Sequence, residues 1–292
     1  MNKQADKIIY YNDGSVPKEE IKATTYQMDD FYKELGSGRV SGLNTFNLLQ
    51  HFKAAKMSSG KVLDVCCGRS LMLPLLVELH NSKQIIIDEY IGVDIAKENQ
   101  TAIHTSALGE KIDNPEEFYP FKVTFIESNV ACMSDVMGPY INNIDFVIYT
   151  SAIEHMQPED QKNSLKECYK LMKDDSKLFL SGPRSLEENE VITSLKKGKN
   201  ANQYDVRYSA HLYEPRLSEV YEMLTDANIR VEELFGIYGD IEDFGIALPT
   251  LPEPLFKEWD TMSKYLPQEY IRSVFFLTRP EICSEYLIIG VK

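Results

Sequence analysis

Between residues 61 and 183 the apolar positions fall into short runs, separated by stretches with a longer repeat. KVLDVC at 61–66, EYIGVDI at 89–95, KVTFIE at 122–127, IDFVIYT at 144–150 and KLFLSG at 177–182 are rich in β-branched and aromatic residues. Several are almost wholly apolar, as strands covered on both faces must be. Between the last two, Leu165, Cys168, Tyr169 and Met172 recur at offsets 0, 3, 4 and 7, one stripe of an α-helix, and Pro158 stands where a first-turn proline is tolerated. Leu217, Val220, Tyr221 and Leu224 repeat those offsets behind Pro215, which predicts a helix over 215–228. A strand follows in NIRVEELFGI at 228–237, and CSEYLIIGV at 283–291 supplies the last. Strands alternating with crossover helices predict an α/β protein built on a parallel sheet.

Three segments stand outside that alternation. Residues 1–60 are polar and aromatic, with a helix predicted around Leu43 to Phe52. Residues 183–213 hold LKKGKN and DVRYSAHLY, and residues 240–281 hold LPTLPEP followed by Leu255, Trp259, Met262 and Leu266 at helical spacing. Loops this long commonly serve as lids or binding elements. The expected organisation is an N-terminal helical cap over 1–60 on a domain of 61–292, with cap insertions at 183–213 and 240–281. Neither a repeat nor a low-complexity tract interrupts it.

The chain has 292 residues, with 31 Lys+Arg against 45 Asp+Glu, a formal net charge of −14. That balance argues against non-specific binding to nucleic acid or to anionic lipid. Apolar runs such as YLIIGV at 286–291 fall far short of the roughly 20 residues that span a bilayer, and the polar start MNKQADK offers no signal-peptide core. A cytoplasmic location is the expectation. Five cysteines, an odd number without a CxxC pair, read as reduced thiols, and no Cys or His spacing suits a closed zinc site, so no metal is expected.

The most informative stretch is VLDVCCGRS at 62–70, where a buried strand runs into a tight turn and then a helix beginning near Leu71. Gly68 supplies a small residue where a ligand could approach backbone. The next strand ends in GVDIAKE, placing Asp94 beside that turn, where a carboxylate can accept from two ribose hydroxyls. A dinucleotide fingerprint would want three glycines there, and this turn has one.

Together these residues resemble the class I S-adenosylmethionine-dependent methyltransferases, whose first strand and turn read approximately hydrophobic-Leu-Asp-x-Gly-Cys-Gly-x-Gly. Leu63, Asp64, Cys67 and Gly68 match, while Cys66 and Ser70 replace two glycines. The turn is then either slightly wider, or these two residues avoid positive φ. The resemblance continues through FIESNVA at 125–131, with Asn129 at the usual position of an adenine-binding aspartate, and DFVIYTSAIEHM at 145–156, the fourth strand with a Glu-His pair. LKECYKLMKDDSKLFLSGP at 165–183 and HLYEPRLSEVYEMLTDANIRVEEL at 211–234 match the later helices and strands. It implies a Rossmann-like, doubly wound, mostly parallel seven-stranded sheet with an antiparallel last strand, and S-adenosylmethionine as cofactor. Asp64, Cys66, Cys67 and Gly68 would bind it from the first turn, Asp94 and Ile95 from the second, and Asn129, Val130 and Thr150 from the third and fourth strands.

Fold does not dictate the acceptor. The resemblance points to a small molecule methylated at oxygen, under a cap formed by the N-terminal aromatics and the region of Trp259. Of five histidines, His155 follows the fourth strand and could take a proton near pH 7, with Glu154 orienting it or binding the acceptor. His211 lies in the connection that the resemblance places over the acceptor pocket. His51, His80 and His104 fall on predicted helices away from the strand ends and are assigned no role. Two alternatives stay open. One is an RNA 2′-O-methyltransferase, because Glu154, His155 and His211 are similar to metal-binding residues of small-RNA 3′-end methyltransferases, although Ser151 stands where that family has a further glutamate. The other is a non-catalytic S-adenosylmethionine-binding protein. A homodimer contact through the cap segments is also left open.

Overall fold

A computed structural model of the chain describes residues 8–12, 50–68, 70, 72–95, 113–185, 212–239 and 283–292. Its strands are β1 (Ile8–Asn12), β2 (Gly60–Val65), β3 (Ile87–Asp94), β4 (Lys122–Glu127), β5 (Ile144–Thr150), β6 (Met172–Pro183), β7 (Arg230–Gly239) and β8 (Cys283–Val291). They form one sheet in the order β1-β4-β3-β2-β5-β6-β8-β7. Every pairing from β1 through β6 is parallel, and β8 runs antiparallel to both β6 and β7. The antiparallel last strand is as the sequence predicts. Strand order reverses between β2 and β5, which opens a crevice at their carboxyl ends, the usual ligand position in such sheets.

Two layers of helix cover the sheet. Residues 50–57 (α1) and Met72–Asn81 (α2) pack on one face against Val62, Tyr90, Phe125, Ile148 and Phe179. Pro158–Leu171 (α3) and Leu217–Asp226 (α4) cover Leu63, Ile91, Val147, Leu180 and Ile288 on the other. Adjacent residues such as Val147 and Ile148 enter opposite cores because side chains alternate across a strand. In α3 the proline sits in the first turn with Glu159 and Asp160, where the amide ends favour negative charge, and Leu165, Cys168 and Leu171 are wholly buried.

Several elements depart from expectation. Among the described residues the sheet has eight strands, seven of them anticipated; the eighth, IIYYN of β1, comes from the segment expected to be a helical cap. Its β-branched and aromatic residues add to the edge of β4 in register from Ile8↔Val123 to Asn12↔Glu127, supplying backbone partners along that edge. Helix is described at 50–57, and the rest of the predicted 43–52 helix lies outside the described residues. Met172 fits the stripe of α3 yet has extended backbone and opens β6, which starts five residues before the predicted 177. In α4, Tyr221 is exposed and Met223 joins Val220 and Leu224 in the core. The cap insertion at 240–281, most of 183–213, and the helix around Trp259 also lie outside the described residues.

Candidate functional site

The turn after β2 is tightly tied. The Cys67 amide donates to Val93 O at 3.0 Å and the Gly68 amide to Asp94 Oδ2 at 2.8 Å, joining the turn to the end of β3. Gly68 has φ +50°, and Cys66 and Ser70 both have φ +54°. The two substituted positions therefore adopt the left-handed conformation instead of avoiding it, at a cost of roughly 1–2 kcal/mol each. Cys67 turns inward, its Sγ filling the space against Gly92, where an added Cβ would lie only 2.9 Å away. Cys67 thus offers a ligand only its backbone, whereas Cys66 is half-buried.

Asp94 is the hub of the three strand ends. Buried at 7% exposure, it accepts from Gly68 through its carboxylate and from the Ser128 amide through its carbonyl at 3.0 Å. Ile95 follows, half-buried. Asn129 caps the 3-10 turn Val130–Asp135, its Oδ1 accepting from the Ala131 amide at 2.9 Å. An amide oxygen has two lone pairs, so that cap leaves one acceptor site. The Val130 side chain is buried in the core, leaving only its backbone for the crevice. Asp64, beneath the turn, accepts from Tyr90 Oη at 2.6 Å; burial raises its pKa to about 7 against the opposing hydrogen bond, with Asp94 adding to the rise.

The end of β5 carries the other predicted residues. Thr150 and Ser151 are half-buried, and Ser151 turns the chain at φ +46° into the 3-10 turn Ile153–His155. His155 is half-buried on that turn. Glu154 is buried, with Oε2 lacking a hydrogen-bond partner, and it faces Gly182 and Tyr286: a Cβ added at Gly182 would lie 3.4 Å from Glu154 Oε2 and 3.2 Å from Tyr286 Oη. Burial, then Glu285 and Glu214, push the Glu154 carboxyl well above the usual range. Its carbonyl accepts from the Leu212 and Tyr213 amides at 2.8 and 3.2 Å, pinning the segment before α4 to the end of β5. His211 lies outside the described residues.

Sequence reasoning missed three side chains. Gln161 of α3 donates through Nε2 to Ile153 O, Met156 O and Tyr213 O at 2.9, 3.1 and 2.8 Å. Gln50 and His51 of α1 reach the ends of β5 and β6: Gln50 Nε2 donates to Ser181 Oγ, and His51 Nε2 lies 3.5 Å from Thr150 Oγ1. His51, expected away from the strand ends, is therefore at one. A signal was present, because His51 is three and four residues before Ala54 and Ala55, which are wholly buried on the sheet-facing side of α1.

The donor set at the β2–β4 ends suits an adenosyl group. A buried carboxylate at the end of β3 matches a ribose diol, Asn129 matches an amino-bearing base, and Asp64 and Asp94 together suit a sulfonium cation without demanding a phosphate. Among the described residues no group of three His, Cys, Asp or Glu could hold a metal, and no helix is long and apolar enough to cross a membrane.

A family model for a methyltransferase domain matches residues 42–234. No curated protein matches the chain. Among solved structures, a Thermotoga maritima S-adenosylmethionine-dependent methyltransferase described as a "possible histamine N-methyltransferase" is similar at 14% identity and TM-score 0.52, over 92% of this chain and 99% of its own. A Haloferax volcanii protein described as a methyltransferase, in complex with the Trm112 methyltransferase activator, is similar at 15% identity and TM-score 0.50, over 90% and 94%. So is the [4+2]-cyclase SpnF, at 12% identity and TM-score 0.50 over 84% and 80%. The likeness to these three is one of fold.

Proposed function

Because the chain belongs to the methyltransferase-domain family, whose cofactor is S-adenosylmethionine, we propose that it transfers a methyl group to a small-molecule acceptor, at oxygen. The observation that carries this reading is the junction of Asp94 with the Gly68 amide, which sets a buried carboxylate under the β2 turn, where a ribose would be gripped. The cofactor supplies an activated methyl group. Asp94 would bind the two ribose hydroxyls, Asn129 Oδ1 and the backbone near Val130 would receive the adenine, and the main-chain groups of Cys66–Gly68 not already tied to Val93 and Asp94 would hold the amino-acid end above Asp64. Ile95 and Thr150 border the ligand.

Transfer in line from a sulfonium depends mostly on alignment and exclusion of water. A hydroxyl acceptor must also give up its proton. Two half-buried histidines are described near the end of β5, His155 and His51, and His211 precedes the segment that Glu154 pins there. The net charge of −14 supports a small-molecule acceptor over a nucleic acid. Four described cysteines, Cys66, Cys67, Cys132 and Cys168, are free thiols, which suits the reducing cytoplasm.

Calorimetry with S-adenosylhomocysteine, followed by transfer of labelled methyl from S-adenosylmethionine to a panel of small hydroxyl and amine compounds, tests the proposal. Saturable binding and a labelled hydroxyl product are expected. No binding at millimolar ligand overturns it, and binding with no turnover on any panel member or RNA favours the non-catalytic reading.

A further inference from the structure

α1 crosses the carboxyl ends of β5 and β6 and brings two consecutive polar residues to them. Gln50 is 4% exposed; its Nε2 donates to Ser181 Oγ and, at 3.4 Å, to Ser151 Oγ, while its Oε1 is buried with no hydrogen-bond partner. His51 Nε2 stands 3.5 Å from Thr150 Oγ1. Gln50 and Ser181 close the floor of this cluster, and His51, Thr150 and Ser151 are half-buried above it. β5 is the strand paired directly with β2, so the cluster adjoins the turn assigned to the cofactor.

A histidine with a purely structural task normally holds a short hydrogen bond. His51 makes only a long one, at the outer limit of the interaction, which an incoming hydroxyl could replace with a shorter contact. Burial lowers its pKa to about 4, so near pH 7 the ring is neutral with one nitrogen's lone pair free, a weaker base than an exposed imidazole but one that need not first lose a proton. The nearby cations of α1 are engaged elsewhere: Lys53 Nζ lies over the Phe235 ring at 4.3 Å, and Lys56 donates to Gln84. His155, by contrast, sits beyond the Ser151 bend, on a turn whose Ile153 enters the core on the opposite face of the sheet.

We infer that Gln50, His51, Thr150 and Ser151 form the acceptor subsite, which takes a small neutral molecule carrying a hydroxyl and a second hydrogen-bond donor, and that the His51 imidazole removes the proton of the hydroxyl being methylated. This rests on the methyltransferase reading. The acceptor oxygen forms its bond to the methyl carbon as its proton passes to the free ring nitrogen. The carbon–sulfur bond breaks with its electron pair left on sulfur, giving a neutral thioether, and the proton on His51 leaves to solvent. Gln50 Oε1 accepts from the second donor of the acceptor.

The test compares the wild type, His51→Gln and His155→Gln, each first checked for S-adenosylhomocysteine binding. Diethyl pyrocarbonate, which attacks neutral imidazole, is applied to the cofactor-product complex and its adducts are mapped by mass spectrometry. His51 is expected to react at a rate independent of pH between about 5.5 and 8. Methyl transfer is then measured to catechol, which keeps both protons near pH 7 and offers a second donor, and to 4-nitrocatechol, which loses one proton largely unaided and keeps the other as donor. His51→Gln should slow catechol methylation by about 10-fold or more while changing 4-nitrocatechol methylation little, and His155→Gln should leave the ratio of the two rates unchanged. An unreactive His51 overturns the inference even if neither catechol is a substrate, as does a catechol-to-nitrocatechol ratio that follows His155 instead. Failure of the wild type to bind S-adenosylhomocysteine overturns the parent reading and this one with it.

Discussion

The Gly68 amide donates to Asp94 Oδ2 at 2.8 Å, from the turn after β2 to the last residue of β3. One carboxylate thus fixes the turn and, on the proposed reading, grips the ribose beside it. Asp94→Ala removes a charged acceptor whose hydrogen bonds are worth about 1.5–3 kcal/mol, so S-adenosylhomocysteine affinity should fall roughly 10- to 150-fold by calorimetry. Asp94→Asn keeps one acceptor oxygen and should lose less. Unchanged affinity in Asp94→Ala would remove the ribose assignment.

The left-handed residues of the same turn make opposite predictions at neighbouring positions. Ser70 at φ +54° pays steric strain of about 1–2 kcal/mol, and glycine there costs about 0.5–1 kcal/mol in unfolded-chain entropy, so Ser70→Gly should raise stability by up to about 1.5 kcal/mol. Gly68 at φ +50° has no such strain to relieve, and Gly68→Ala should lower stability by about 1–2 kcal/mol. Urea denaturation measures both. A destabilised Ser70→Gly would mean that the serine hydroxyl contributes more than the strain costs.

Those φ angles also mark where the sequence was legible. Most of the seven anticipated strands could be read from runs such as KVTFIE and IDFVIYT, because strands buried on both faces leave a nearly continuous apolar signature. Resemblance located the turn, but whether Cys66 and Ser70 would bend left-handed or widen the turn depends on tertiary ties such as Gly68 to Asp94. β1 was missed because five residues amid polar sequence carry no periodicity, and their pairing depends on the open edge of β4. Met172 belongs to the helical stripe by spacing and to β6 by backbone, since the buried side chain serves either element. Which strand ends α1 crosses is a property of packing, and that crossing brings His51 to Thr150.

Two buried groups should give the protein opposing pH dependences. Asp64 has its pKa raised from 3.8 to about 7, so between those values the native state holds a proton that the unfolded chain lacks, and stability falls as pH rises. His51 has its pKa lowered from 6.5 to about 4; in that window the unfolded chain holds the extra proton, and stability rises with pH. The two largely offset each other between about pH 4 and 6.5, each with a slope of at most about 1.4 kcal/mol per pH unit. Relative to the wild type, Asp64→Asn should gain stability across that range as pH increases, and His51→Gln should lose it. Glu154, also raised, is common to all three proteins and cancels in the comparison. Denaturation curves at several pH values that show the two variants drifting in the same direction would contradict the assignment.

Gln161 gives the last prediction, through a count of hydrogens. Its Nε2 points at three carbonyls, Ile153, Met156 and Tyr213, yet an amide nitrogen carries only two protons, so the three acceptors share them. The residue is wholly buried, and it fastens the turn after β5 to the segment leading into α4. Gln161→Glu keeps the shape but sets a carboxylate against three carbonyl oxygens, and near pH 7 it should cost about 3 kcal/mol or more, against about 1–3 kcal/mol for Gln161→Ala, which merely removes a donor from the three carbonyls, Ile153 O keeping the Met156 amide. Lowering the pH should recover part of the glutamate's loss, since a protonated carboxyl can donate once. Because Tyr213 is one of the three partners, both variants should also loosen residues 212–213, seen as faster amide exchange there than in the core of α3. Equal stability of the two variants at neutral pH would show that the donors at position 161 do not hold this corner together.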